Sequence, residues 1–242
     1  TRVMANVHDP DRAVTHGRGN LSFTTINLPR LAIEADGDVD CFLCTLDERI
    51  QLVIGQLMER FTIQAGKRVR NFPFLMGQGV WIDSERLGGQ DRVREVLKHG
   101  TLSVGFIGLA EAVHALIGEH HGQSQRAWDL AYSIVVRMRW RMNQAAERTG
   151  LNFSLLATPA EGLAGRFVRM DQRLHGIIPG VTDKEYYTNS FHIPVGFDIG
   201  LADKIAKEAP FHALTNAGHI TYVEIDGDPS KNVGAIEQIV RF

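Results

Sequence analysis

Leu21-Ser22-Phe23-Thr24-Thr25-Ile26-Asn27-Leu28-Pro29-Arg30 decides the fold class of this chain. Its first seven residues are rich in β-branched and aromatic side chains, which suit a pleated, half-buried surface and predict a strand. Pro29 then falls where a missing N–H costs nothing, in the first turn of a helix. A strand feeding straight into a helix is the building unit of an α/β fold, and the unit recurs. Residues 101–107 lead into a helix predicted over 109–117. Residues 152–157 lead into one from Ala160 to about Arg173. A fourth β-like run at 219–226 precedes a terminal helix from about Lys231 to Val240.

Between these units the apolar period is helical. Phe42, Leu43, Leu46, Ile50, Val53, Ile54 and Leu57 predict a helix over 39–63. Ser124 is a suitable N-cap for a long amphipathic helix over 124–148, with Gly150 as its stop. Residues 66–90 carry Gly, Pro and aromatics without a clear period and read as irregular structure with a short strand near Trp81. No repeat or linker divides residues 1–242, so one α/β domain with largely parallel strands is expected. In such folds ligands gather at the carboxyl ends of the strands.

Bulk properties exclude several classes. A formal net charge of -2 gives no general attraction to nucleic acid or an anionic membrane. No apolar run approaches the roughly 18 residues needed to span a bilayer. Two cysteines in 242 residues fit a reducing, cytoplasmic setting. They form a lone CxxC, Cys41 to Cys44, with no second pair or nearby His, and core packing is the expectation for both. His120 and His121 are expected to be solvated, as is the helix edge bearing Arg137, Arg139 and Arg141. No P-loop or dinucleotide cradle occurs. The first residue is Thr1 rather than Met, which suggests a segment of a longer protein.

Three stretches could carry chemistry. In Gly17-Arg18-Gly19-Asn20, two glycines permit close backbone approach, and the Asn20 amide both donates and accepts hydrogen bonds without adding charge. Alternatively, Asn20 merely ends a turn. In Thr158-Pro159-Ala160-Glu161-Gly162, Thr158 can cap a helix that starts with Pro159, leaving the amides of Ala160, Glu161 and Gly162 free for an anion. Glu161 could instead close a capping box with Thr158. In Tyr186-Tyr187-Thr188-Asn189-Ser190-Phe191-His192-Ile193, the polar groups Asn189, Ser190 and His192 could floor a pocket, although a lone His is more often structural.

These stretches resemble signatures of the anaerobic (class III, glycyl-radical) ribonucleotide reductases. The matching segments are RGNLSFTTINLPRLAIEA at 18–35, GTLSVGFIGLAEA at 100–112, NFSLLATPAEGLAGRF at 152–167 and YYTNSFHIPV at 186–195. The resemblance implies about half of a ten-stranded α/β barrel, its second five strands, without the radical-bearing cysteine, the glycyl-radical loop, the zinc site or the ATP-cone. It implies that Asn20 is an active-site amide facing the ribose or a formate reductant. It also implies that Thr158, Ala160, Glu161 and Gly162 hold the substrate's phosphates, with Asn189, Ser190 and His192 lining the pocket and Glu111 structural or bordering it. The parent enzyme would reduce ribonucleoside triphosphates as a homodimer. It would use a glycyl radical installed by a radical-SAM activase, structural zinc and ATP or dNTP effectors. An isolated segment would be inactive and, with exposed strand edges, poorly soluble. The rivals are a formate-lyase-like glycyl-radical enzyme and a non-catalytic nucleotide-binding α/β domain. The reductase reading requires that the turn at Thr158 and the amide of Asn20 face a common cavity at the mouth of the strands.

Overall fold

A computed structural model describes residues 6–12, 14–225 and 227–241. Three parallel strands, β1 (Asn20–Asn27), β2 (Thr101–Ile107) and β3 (Asn152–Ala157), form one sheet in the order β1-β2-β3. Each passes at once into a helix or a turn that opens one. β1 runs into α1 (Leu28–Glu34), with Pro29 in its first turn and Asn27 as its N-cap. After α1 comes the long α2 (Val39–Ala65), capped by Asp38, whose carboxylate accepts the Cys41 N–H at 2.9 Å. The short α3 (Arg94–Leu97) leads to β2, and β2 to α4 (Leu109–Ile117). Next comes α5 (Gln125–Thr149), capped by Ser124 and stopped at Gly150 with φ +67°. β3 precedes α6 (Glu161–His175), then α7 (Leu201–Leu214) and α8 (Val233–Arg241).

One face of the sheet is packed against helices. Ile26, Leu102, Val104, Phe106, Phe153, Leu155 and Ala157 alternate onto that side and join Phe42, Leu46, Ile50, Val53 and Leu57 of α2. Ala131, Ile134, Val135 and Met138 of α5 complete this core. The helical period read in α2 is the stripe that meets the sheet. Cys41 and Cys44 lie off the stripe and are exposed, which corrects their expected place in the core.

Three further expectations need correction. Residues 66–90 hold 3-10 turns at Val69–Asn71 and Ser84–Arg86 but no strand, and Trp81 is buried with its Nε1 donating to Val96 O at 2.7 Å. An indole that must bury its ring and satisfy its N–H explains the aromatic signal without a strand. The fourth strand is reduced to a bridge. Gly218 pairs in parallel with Leu156, Ala157 N donates to Gly218 O at 3.1 Å, and no strand is assigned over 219–225. Asp226 lies outside the described residues. The described sheet therefore has three strands, not the five expected. His121, finally, is fully buried, its Nε2 at 2.8 Å from Phe191 O, and not solvated.

The free edge of β1 is covered from within the fold. From α2, Arg60 donates to Phe23 O at 3.2 Å and Gln64 to Leu21 O at 3.4 Å, so side chains take the place of a neighbouring strand there. Among the described residues no helix is long and apolar enough to cross a membrane.

Candidate functional site

The second face of the sheet carries polar groups beside Phe23, Ile107 and Leu156. Asn20, Ser103 and Ser154 form a hydrogen-bonded row across the three strands, with Ser103 Oγ and Ser154 Oγ 2.9 Å apart. Asn20 reaches the row because a register shift between Asn20 and Ser22 turns it to the side of Ser103. With its amide oriented to suit its neighbours, Asn20 donates to Thr101 O at 3.0 Å and Ser22 O at 3.1 Å. It also accepts from Ser103 Oγ at 3.3 Å. Both donors are thus spent inside the sheet, and Oδ1 keeps one acceptor position.

One step toward the carboxyl ends, Thr25 Oγ1 and Thr158 Oγ1 lie 3.1 Å apart above Gly105. Ser103 and Gly105 are two residues apart on β2, which sets this pair about 7 Å from the Asn20 row. Thr158 therefore faces the sheet and does not cap α6. The reason is strand alternation, since 152, 154, 156 and 158 share a face. The N-cap of α6 is Ala160, with no side-chain cap, and the helix begins at Glu161. Pro159 lies two residues before that start, and no capping box with Glu161 forms.

The Ala160 N–H is not free either, since it donates to Asn189 Oδ1 at 3.2 Å. The amides of Glu161 and Gly162 find no acceptor among the described residues. Glu161 and Gly162 line a cleft of about 580 Å³ together with Arg169, Lys184, Glu185 and Tyr186. A smaller cavity of about 310 Å³ adjoins it across Tyr186, lined by Asn189, His192, Ile193 and Tyr222.

The loop that carries Asn189 is fixed at both ends. Its carbonyls at Thr188 and Ser190 accept the N–H groups of Gly108 and Leu109, capping α4 at 2.9 and 3.1 Å. The fully buried Glu111 accepts Thr188 N–H at 3.1 Å, Thr188 Oγ1 at 2.7 Å and Lys184 Nζ at 3.0 Å, which makes it the loop's anchor. Ser190 is buried in the left-handed region at φ +42°, a conformation the surrounding bonds must hold in place. Past it, His192 Nδ1 and Ile193 N–H meet Glu208 of α7 at 3.1 and 2.9 Å, and Lys204 Nζ lies 3.1 Å from the same carboxylate. Burial alone would raise the Glu208 pKa. The hydrogen bond and charge of His192, with Ile193 N–H and Lys204, outweigh it and hold the carboxyl below its ordinary value.

A second buried carboxylate, Asp171 of α6, ties this region to the end of β1. It accepts Asn27 Nδ2 at 2.8 Å, Tyr187 OH at 2.8 Å and Arg30 Nε at 2.6 Å. Burial, reinforced by the hydrogen bond to Asp171, pushes the Tyr187 phenol well above its usual pKa and keeps it a donor.

The structure thus brings Thr158, Ala160, Glu161, Gly162 and Asn189 to one end of the sheet and Asn20 to the same face one step away. Thr158, however, is buried and lines neither of the two cavities that hold Glu161, Gly162 and Asn189. Ser190 is sealed by packing, and His192 is committed to Glu208 while lining the smaller cavity. Sequence reading missed Thr25, Ser103, Gly105 and Ser154. For β2 and β3 the signal was Ser103 and Gly105 alternating with Leu102, Val104 and Phe106, and Asn152 and Ser154 alternating with Phe153 and Leu155, whereas β1 gives Thr25 no such alternation.

The family model for anaerobic ribonucleoside-triphosphate reductase matches residues 1–242. The reductase of that name from Salmonella typhimurium is 41% identical over 226 residues, covering 92% of this chain and 31% of the relative. That of Haemophilus influenzae is 34% identical over 226 residues, again 92% and 31%. The chain spans about a third of the length of these curated relatives. Among solved structures, the anaerobic ribonucleotide reductase from Thermotoga maritima in complex with dATP and CTP superposes with a TM-score of 0.72 at 19% identity. That match covers 92% of this chain and 35% of the other. The form with citrate in the active site gives 0.70 at 19% identity. At that identity the likeness is one of fold, a part of the same α/β architecture.

Proposed function

Because the chain belongs to the anaerobic ribonucleoside-triphosphate reductase family, we propose that it supplies the substrate-holding part of an enzyme converting ribonucleoside triphosphates to deoxyribonucleoside triphosphates. The observation that carries the reading is a linear order along one sheet face. Unpaired helix amides stand at the carboxyl end, hydroxyls lie below them, and Asn20 is one strand step further in.

In this reading the triphosphate meets the Glu161 and Gly162 N–H groups and the positive end of α6, with Arg169 of the same helix and Lys184 lining the cleft beside it. The ribose then extends over Gly105 toward Asn20, whose free Oδ1 position accepts a hydrogen bond from a sugar hydroxyl. Asn189 keeps the first turn of α6 in place and Glu111 keeps Asn189 in place. The work of these residues is binding and orientation, which accounts for a large part of any such rate enhancement. A protein-borne radical outside this chain supplies the hydrogen abstraction.

The same reading includes a radical-SAM activase, a homodimer, ATP or dNTP effectors and a cytoplasmic setting. Among the described residues no group of three His, Cys, Asp or Glu could hold a metal ion, so no residue here is assigned to zinc.

Gly162→Asp separates binding from folding. A Cβ at Gly162 meets open space, and a carboxylate in the first turn of a helix is stabilising. The variant of the whole reductase should melt no lower than the parent, yet bind ribonucleoside triphosphate at least about tenfold more weakly by calorimetry, a loss near 1.4 kcal/mol. Unchanged affinity would place the triphosphate elsewhere.

A further inference from the structure

Gly105 is the one position in the middle of the sheet where a side chain is forbidden by a hydroxyl. A Cβ built there would lie 2.0 Å from Thr158 Oγ1 and 3.0 Å from Thr25 Oγ1. Two hydroxyls from strands that are not neighbours can touch only because the strand between them carries nothing. We propose that Thr25 and Thr158, closing over the bare Gly105, form a subsite for a ribose hydroxyl, with Thr25 as a specificity-determining residue. This rests on the reading that α6 receives the triphosphate.

The chemistry matches the ligand. The pair spends one donor and one acceptor on each other, which leaves one O–H donor and acceptor lone pairs, and neither hydroxyl has another partner among the described residues. A sugar hydroxyl is itself a donor and an acceptor, so it can complete both halves, whereas a phosphate would leave the donor-poor pair facing negative charge. Position agrees with chemistry. The pair lies between the amides at Glu161 and Gly162 and the Asn20 row, as a sugar lies between its phosphates and the far side of its ring. Thr25 is only partly buried, so the pair is approached from its side, while Thr158 and Gly105 are buried on a face that carries Ser103 and Ser154 beside the apolar Leu156 and Ile107.

The test compares four probes by calorimetry on the whole reductase: a ribonucleoside triphosphate, its 2′-deoxy and 3′-deoxy analogues, and inorganic tripolyphosphate. The parent should favour the ribonucleotide over at least one deoxy analogue by about three- to tenfold, the range of one hydrogen bond. Thr25→Val, of the same shape without the hydroxyl, should abolish that preference and leave tripolyphosphate binding unchanged. Thr25→Ser should restore it. Gly105→Ala, which displaces the Thr158 hydroxyl by a separate route, should abolish it as well and covers the case in which Thr25→Val fails to fold. A preference that survives both Thr25→Val and Gly105→Ala overturns the proposal. So does an equal loss for all four probes, the mark of a mere cross-link between β1 and the β3–α6 turn. Failure of tripolyphosphate and ribonucleotide alike to bind the parent overturns the α6 reading itself, and the subsite with it.

Discussion

The two faces of the three-stranded sheet are built from the same strands and obey opposite rules. On the helix-covered face every second residue is apolar and buried, from Leu102 and Val104 through Phe106 to Phe153 and Leu155. On the other, Asn20, Ser103 and Ser154 form one hydrogen-bonded group and Thr25 and Thr158 another. There Gly105 is bare, Phe23 is 52% exposed, and the apolar Leu156 and Ile107 lie beside the polar groups. Apolar burial supplies the stability, at roughly 25 cal/mol per Å². A row of paired hydroxyls adds little net stability and a great deal of geometry. The difference shows where this chain can change without unfolding.

That contrast can be broken most sharply by truncation. Phe106→Ala should cost about 3–5 kcal/mol in denaturant titrations, because it empties the centre of a packed face. An equally large loss from Ser154→Ala would erase the distinction between the faces. The boundary between them is held by charge. Asp171→Asn leaves Arg30 without its carboxylate partner and should destabilise by about 2–4 kcal/mol, lowering the melting temperature by several degrees. A neutral result would show that α6 is not pinned to β1 through this carboxylate.

Acid should act on the packed side. Burial depresses the His121 pKa to about 4, and that of His120 likewise to about 4, so the folded protein favours neutral rings. For a histidine with a lowered folded pKa the unfolded chain binds the extra proton. This stability is therefore complete above about pH 6.5 and lost as pH falls toward 4, on the order of 2–3 kcal/mol. Glu208, with its pKa held down, adds its own loss only below its ordinary value of 4.5. His121→Gln, which keeps an amide donor for Phe191 O, should flatten the slope of stability between pH 6.5 and 4. An unchanged slope would move the effect to other groups. The smallest effect belongs to the polar face, where Ser154→Ala should cost less than about 1 kcal/mol by the same titration.

The packed face was legible in the sequence because helical and strand periods are written in apolar residues. Phe42, Leu46 and Ile50 mark α2, and Pro29, Ser124 and Gly150 mark helix ends. The helix α7 was not legible. Pro210 lies inside it, where a sequence reading expects a break. Its buried side carries Lys204 and Glu208 instead of an apolar stripe, and Glu208 pairs with both Lys204 and His192. Thr158 was misread as a cap because Thr before Pro looks like a helix start. Only the register of β3 shows that its side chain belongs to the sheet. Asn189 was singled out from a motif, but its bond to Ala160 spans 29 residues, a contact that no local pattern encodes.

A crystal structure of the whole reductase with a bound ribonucleoside triphosphate tests the central claim most directly. The account predicts phosphate oxygens on the amides of Glu161 and Gly162 and the ribose above Gly105, between Thr25 and Asn20. A triphosphate bound away from α6, or a sugar that leaves the polar face of the sheet uncovered, would contradict it.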